Sequence, residues 1–357
     1  MTAVLDSPSA PAPTPAALGA QVGTGRRARV RRRRLVVAML VVLLVGVVLL
    51  TLCVGEKVYS PATVLRVLLG EQVPGASFNV GTLRAPRALT GLLVGLGFGI
   101  GGVVFQTMLR NPLASPDIIG ISAGASAAAV VAITMFDVAG NVLSVIAVVS
   151  GIGVAALIYA LSWRRGVHGA RLVLIGIAVG AMLDSVISYA MTRAGVYDAN
   201  EALRWLTGSL NSAFWPGVPP LAIAMVCLVP VLLVLARRLS ALQLGDDAAA
   251  GLGVHPDRSR LALLVVAVAI VSVATAAAGP IAFVAFLSGP IAHRLVRGTG
   301  SLLVPSALVG ALLVLVADFV GQHLLGTRFP VGVVTGVLGA PYLLWLLART
   351  NSSGGSL

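Results

Sequence analysis

Residues 84–124 read RAPRALTGLLVGLGFGIGGVVFQTMLRNPLASPDIIGISAG. Arg84 and Arg87 stand at one end of a glycine-rich apolar run of membrane length. At its other end come Gln106, Arg110, Asn111 and a polar turn broken by Pro112 and Pro116. Inside hydrocarbon every backbone group needs an internal partner, and a charge is costly. Such a turn therefore belongs in the headgroup layer or beyond it. The two arginine positions mark opposite membrane faces, with residues 88–108 between them.

The rest of the chain repeats this arrangement. It is 58% hydrophobic and 10% charged over 357 residues, where a soluble globule carries about 25% charged residues. A helical crossing needs about 20 apolar residues. Ten stretches qualify, near 35–54, 88–108, 118–135, 143–163, 172–192, 219–236, 260–277, 281–296, 303–322 and 331–348. The eighth is short and bounded by prolines.

Placing the N-terminus inside puts Arg26, Arg27, Arg29, Arg31–Arg34, Arg110, Arg164, Arg165, Arg171, Arg237, Arg238, Arg258, Arg260, Arg294, Arg297 and Arg349 on the cytoplasmic side. Lys57, Arg66, Arg84, Arg87, Arg193, Arg204 and Arg328 then lie outside. The split is 18 against 7 and accounts for all 25 basic residues. The positive-inside rule therefore favours ten spans with both ends cytoplasmic. The formal charge of +13 is carried in short loops flanking apolar runs, which orients a membrane protein and does not build a nucleic-acid face.

The expected fold is an all-α polytopic membrane protein. Residues 1–34 are read as a Pro/Ala-rich unstructured tail with a basic cluster, 35–349 as the membrane domain and 350–357 as a short cytoplasmic tail. The apolar run after the Arg cluster is too long for a signal-peptide core, and no small-residue cleavage site follows it. Cys53 and Cys227 are far apart and read as small buried residues, neither a disulfide nor a metal pair.

Chemistry for catalysis is sparse. The only lysine, Lys57, lacks the preceding glycine of a phosphate-binding loop. Gly120-Ile-Ser122-Ala-Gly124 fits the spacing of a hydrolase elbow but opens a membrane span, where small residues serve helix packing. No His/Glu cluster has metal-ligand spacing. No catalytic residue, bound cofactor or metal is expected. Asp184 and Asp318 lie within spans and need polar partners there. Ser185 and Ser188 flank the first, and Gln322 follows the second by one helical turn. The longest polar interruption, 242–258, holds Leu244, Gly245, Asp246, Asp247, Ala250, Gly251, Leu252 and Gly253. It reads as a short helix N-capped by the aspartates and stopped by Gly251 and Gly253.

These motifs in this order resemble the FecCD/BtuC-type permeases: R-x-P-R, Q-x-x-x-R-N-P-L-A-x-P-D-x-x-G ending at Gly120, the L-G-D-D loop, Gly279-Pro280-Ile-Ala-Phe-Val284, and Pro330-Val-Gly332 with Gly339-Ala-Pro341. The resemblance spans about residues 35–349 and is nearest to permeases for ferric enterobactin. It implies a type II ABC importer subunit in a bacterial plasma membrane, carrying a ferric siderophore inward. It also implies a second similar permease, giving a heterodimer, and two cytoplasmic ATPases that hold ATP and magnesium. An extracytoplasmic binding protein would complete the assembly. Residues 244–254 would be the coupling helix, while Arg84, Arg87 and Arg328 would dock the binding protein. Gln106, Arg110, Asn111, Pro112, Pro116, Gly120, Gly279, Pro280, Asp318, Pro330 and Gly332 would serve structure or pathway. This chain departs from the family in Ile291 after Pro290, Gln322 at a docking-arginine position, and Phe329 before the last proline motif. Haem or cobalamin import, and an ion-coupled secondary transporter, remain alternatives.

Overall fold

The computed structural model describes residues 15–163, 169–297 and 300–352. The expectations for residues 1–14, 353–357, Arg164 and Arg165 lie outside the described residues. Among those described, the chain is helical with no strand. Its helices are α1 (Pro15–Cys53), α2 (Pro61–Leu68), α3 (Ala85–Met108), α4 (Ile121–Phe136), α5 (Gly140–Ser162), α6 (Gly169–Arg193) and α7 (Val196–Leu206). They continue as α8 (Val218–Leu242), α9 (Asp246–Gly251), α10 (Pro256–Ala278), α11 (Val284–Val296), α12 (Leu303–His323) and α13 (Val331–Ser352).

Among the described residues, seven helical stretches are long and apolar enough to cross a membrane, and they lie in or run into α1, α3, α5, α6, α8, α10 and α12. Of the other three expected stretches, α4 and α11 are shorter apolar helices, and α13 is apolar over Val331–Trp345. At 16 and 13 residues, α4 and α11 rise about 24 and 20 Å, short of a hydrocarbon core of about 30 Å. Both are largely buried in the bundle, where protein can satisfy the irregular backbone at their ends.

α3 is the central helix, with 78% of its membrane window buried against 17% for α1 and 11% for α6. Its glycines make this possible. A Cβ at Gly95 would overlap the α12 backbone at Gly310 and Ala311, one at Gly99 would overlap Ser306, and one at Gly102 would overlap Ala285 of α11. Gly97 and Gly101 turn instead toward α8 and α10, against Met225 and Val271. Removing side chains on several faces lets four neighbours, α8, α10, α11 and α12, approach one axis.

Two expectations about local structure are corrected. Residues 15–34 are helical, because α1 begins at Pro15 and runs unbroken to Cys53. No second proline interrupts it, and propagating an existing membrane helix through Ala- and Arg-rich sequence is far easier than nucleating one. Cys227 is exposed on α8, not buried, while Cys53 is half-buried. An apolar stretch makes a helix legible without saying which face meets protein.

Candidate functional site: an exposed helix at one end, a buried ion pair at the other

α9 sits between α8 and α10 at the end of the bundle where α3 finishes. The chain enters it through Gly245 at φ +112° and leaves through Gly253 at φ +77°, a region that favours glycine. The aspartates do not cap it as expected, because Gly245 occupies the N-cap position and makes no side-chain bond. Asp246 is already inside the first turn, and arginines claim its carboxylate. Arg260 of α10 donates to Oδ1 at 2.7 Å, and Arg110 reaches the same atom at 3.4 Å. Arg110, at φ +50°, also donates to the Leu242 carbonyl at the end of α8 (2.8 Å). One carboxylate thus ties α9 to α10 and to the turn that ends the central helix. Arg260 has no family motif to single it out, and only its spacing from Asp246 around the loop could have signalled the pairing.

The rest of α9 faces outward. Ala249 alone is buried, while Asp247, Ala250 and Gly251 are exposed. Leu244 and Leu252 flank the helix at 66% and 65% exposure. Nothing lies within 4 Å of where a Gly251 Cβ would stand, and its φ is ordinary. A small-residue surface with two bare leucines at its ends makes no contacts within this chain that explain it.

The turn beside α9 is internally bonded. Asn111 Oδ1 accepts from the Leu113 amide (2.9 Å), a turn bond this side chain is suited to. Pro112 is exposed, and Pro116 opens a 3₁₀ turn ending at Gly120, φ +78°. Asp117 accepts hydroxyl bonds from Ser115 (3.1 Å) and Ser122. Burial pushes its carboxyl above the ordinary value, opposed by those hydroxyls. Gln106 is buried and donates to the Phe286 carbonyl (2.9 Å), fastening α3 to α11. Gly289 is small because a Cβ there would strike this amide.

At the opposite end, Arg87 and Asp318 form a two-pronged ion pair, Nε to Oδ2 and Nη2 to Oδ1 both at 2.7 Å. Their side chains are 23% and 8% exposed. Asp318 thereby finds its partner across the bundle on α3, not at Gln322, and the pair locks α3 to α12. Arg84 is also engaged. It donates to the Leu52 and Cys53 carbonyls (2.9 and 3.1 Å) and to the Lys57 carbonyl (2.7 Å), and stacks 5.2 Å from the Tyr59 ring. It therefore caps the C-terminal end of α1, where orphan carbonyls attract a cation. Arg328 pairs with Glu56, both well exposed. Of the three arginines, it presents the most open charge.

The remaining motif glycines meet one another at this end. The Ser209 amide donates to the Ala278 carbonyl (2.7 Å), and the Gly332 amide to the Gly208 carbonyl (3.1 Å). A Cβ at Gly279, Gly208 or Gly332 would strike backbone of the neighbouring turn. Pro280 supplies that backbone beside Gly208, and Pro330 starts the turn into α13. These residues join three loops.

On α6, the Ser185 and Ser188 hydroxyls bond to the Ala181 and Asp184 carbonyls of their own helix. The Asp184 side chain is exposed halfway along a span, and among the described residues no side chain pairs with it.

Comparison with known proteins agrees with this architecture. The FecCD transport family model matches residues 30–349. The ferric enterobactin transport system permease protein of Escherichia coli (strain K12) is 38% identical over 299 residues, covering 83% of this chain and 90% of that protein. The achromobactin transport system permease protein of Dickeya dadantii (strain 3937) is 38% identical over 317 residues, covering 88% and 91%. An inward-facing metal-chelate type ABC transporter superposes with a TM-score of 0.79 at 27% identity, over 88% of this chain and 98% of that one. With its glycine-packed central helix, outlying α9 and match across the whole helical domain, the chain belongs to the FecCD transport family.

Proposed function

We propose that this chain is the permease subunit of an ABC importer that moves a ferric siderophore inward across a bacterial plasma membrane. The observation that carries the reading is α9, an exposed helix braced from behind by Arg110 and Arg260. A helix that transmits force needs a rigid connection inward and a free surface outward. Through Asp246, α9 has the first, coupled directly to the end of α3. Through Asp247, Ala250, Gly251 and the two leucines, it has the second. Its occupant is a cytoplasmic ATPase subunit, which supplies ATP and magnesium. ATP-driven closure there favours one packing of the permease over another, because it binds the two states unequally.

The ten apolar helices become ten spans with both termini cytoplasmic. α6 then poses a problem that a second permease solves. It is 11% buried yet carries Asp184 at mid-depth, and a carboxylate there is not stable against lipid. A related permease packed on that face, or the aqueous path between the two, accommodates it. At the extracytoplasmic end a binding protein delivers the siderophore. Arg328 leads that docking, with Arg84 and Arg87 holding the underlying frame.

The test is Gly251→Trp. Gly251 is exposed and an added Cβ meets nothing within 4 Å in this chain, so membrane insertion and melting temperature should match the parent protein. Siderophore uptake should fall to background. Parental uptake by a well-expressed variant would remove the coupling role from α9.

A further inference from the structure

We propose that the cytoplasmic ends of α1 and α11 form a binding site for one anionic phospholipid, with the acyl chain in an apolar groove and the phosphate under an arginine clasp. The groove, about 260 Å³, lies among α1, α11, α12 and α13. Leu40, Ile291, Leu295, Val309, Leu313 and Leu338 line it. Its wall is aliphatic throughout apart from Thr335, so it suits a hydrocarbon chain and offers nothing to a polar solute.

The polar groups gather at one end. Leu295, which lines the groove, is preceded on α11 by Arg294, and Arg297 stands at the C-cap of that helix. Arg32 of α1 donates to the Leu295 carbonyl. Arg33 lies near Gly300, two helical turns before Leu40 on the same face of α1. Arg294 stacks on α13, 4.4 Å from the Trp345 ring and 5.7 Å from the Tyr342 ring. Two further features ask for a ligand. The Tyr342 hydroxyl is buried with no hydrogen-bond partner, one turn beyond groove residue Leu338. Among the described residues, no acidic side chain forms an ion pair with Arg27–Arg34, Arg294 or Arg297.

Orienting a first span needs only a few positive charges, whereas Arg27–Arg34 holds six. Basic pockets between membrane helices on the cytoplasmic side suit acidic lipid headgroups. The aromatic pair Tyr342 and Trp345 stands where an interfacial belt belongs. A chain-shaped groove ending at cations that have no acidic partner among the described residues matches a molecule with a tail and a phosphate. A protein partner would meet the arginines but leave the groove unfilled.

The experiment uses the purified, delipidated full chain in detergent with palmitoyl-oleoyl phosphatidylglycerol and phosphatidylcholine at equal concentration. Native mass spectrometry counts the lipid retained. Phosphatidylglycerol should be favoured at least tenfold, and Arg32→Gln with Arg33→Gln should lower its affinity about thirtyfold. Arg237→Gln with Arg238→Gln, elsewhere on the cytoplasmic side, should leave it unchanged. Leu313→Phe should displace the lipid by filling the groove while all arginines remain. Equal retention of the two lipids, or retention unaltered in the Arg32/Arg33 variant, would overturn the site. Displacement of the lipid by glycerol phosphate would overturn the acyl groove.

Discussion

Arg87→Ala should destabilise the protein more than Arg87→Ala combined with Asp318→Ala. The single change leaves a carboxylate that is 8% exposed facing the empty place of its cation. Removing one member of a buried pair costs about 3–5 kcal/mol, most of it the desolvation of the remaining charge. Arg87 is 23% exposed, so water partly screens the pair and the low end, about 3 kcal/mol, applies. The double variant leaves no orphan charge and should recover about half of that. The assay is thermal unfolding in detergent, with binding-protein docking measured on the same samples. A single variant as stable as its parent would refute the internal strut. Equal destabilisation in single and double variants would refute the orphan-charge argument. Docking lost at unchanged stability would return Arg87 to the role its sequence motif suggested.

Three other outcomes follow from the packing. Gly99→Val should abolish stable expression, since even a Cβ there overlaps the Ser306 backbone and overpacking typically costs 1–3 kcal/mol where side chains alone must yield; parental expression would contradict the close α3–α12 approach. Arg84→Ala should loosen the end of α1, raising hydrogen exchange at residues 52–59 and leaving the α9 end protected; uniform protection would contradict the capping role. Asp117 has a raised folded pKa, so the stability gained from its protonated form is present below the unfolded pKa and lost as pH rises through the folded one. Asp117→Asn should therefore flatten the pH dependence of melting above the unfolded carboxylate range, and an unchanged slope would remove Asp117 as its source.

The sequence made the long helices legible because an apolar run of membrane length is a local property. The ends of α3, α10 and α12 lie within a few residues of their expected bounds for that reason. Partners were less visible. Arg87 and Asp318 are 231 residues apart, and only the register of α3 against α12 brings them together. Asp246 looked like a cap because its spacing fits one, but Gly245 at φ +112° takes that position and two distant arginines take the carboxylate. The exposed face of Asp184 was equally hidden, since a periodic apolar pattern does not say which face of α6 meets its own chain.

A chain that works as one half of an ATP-driven pair should carry its partners through purification. Affinity purification of the tagged chain from its native membrane, with identification of everything retained, tests it most directly. Recovery of an ATPase and a second related permease is expected, with the ATPase lost in Gly251→Trp. Recovery of the chain alone, in a form that transports on an ion gradient without ATP, would contradict it.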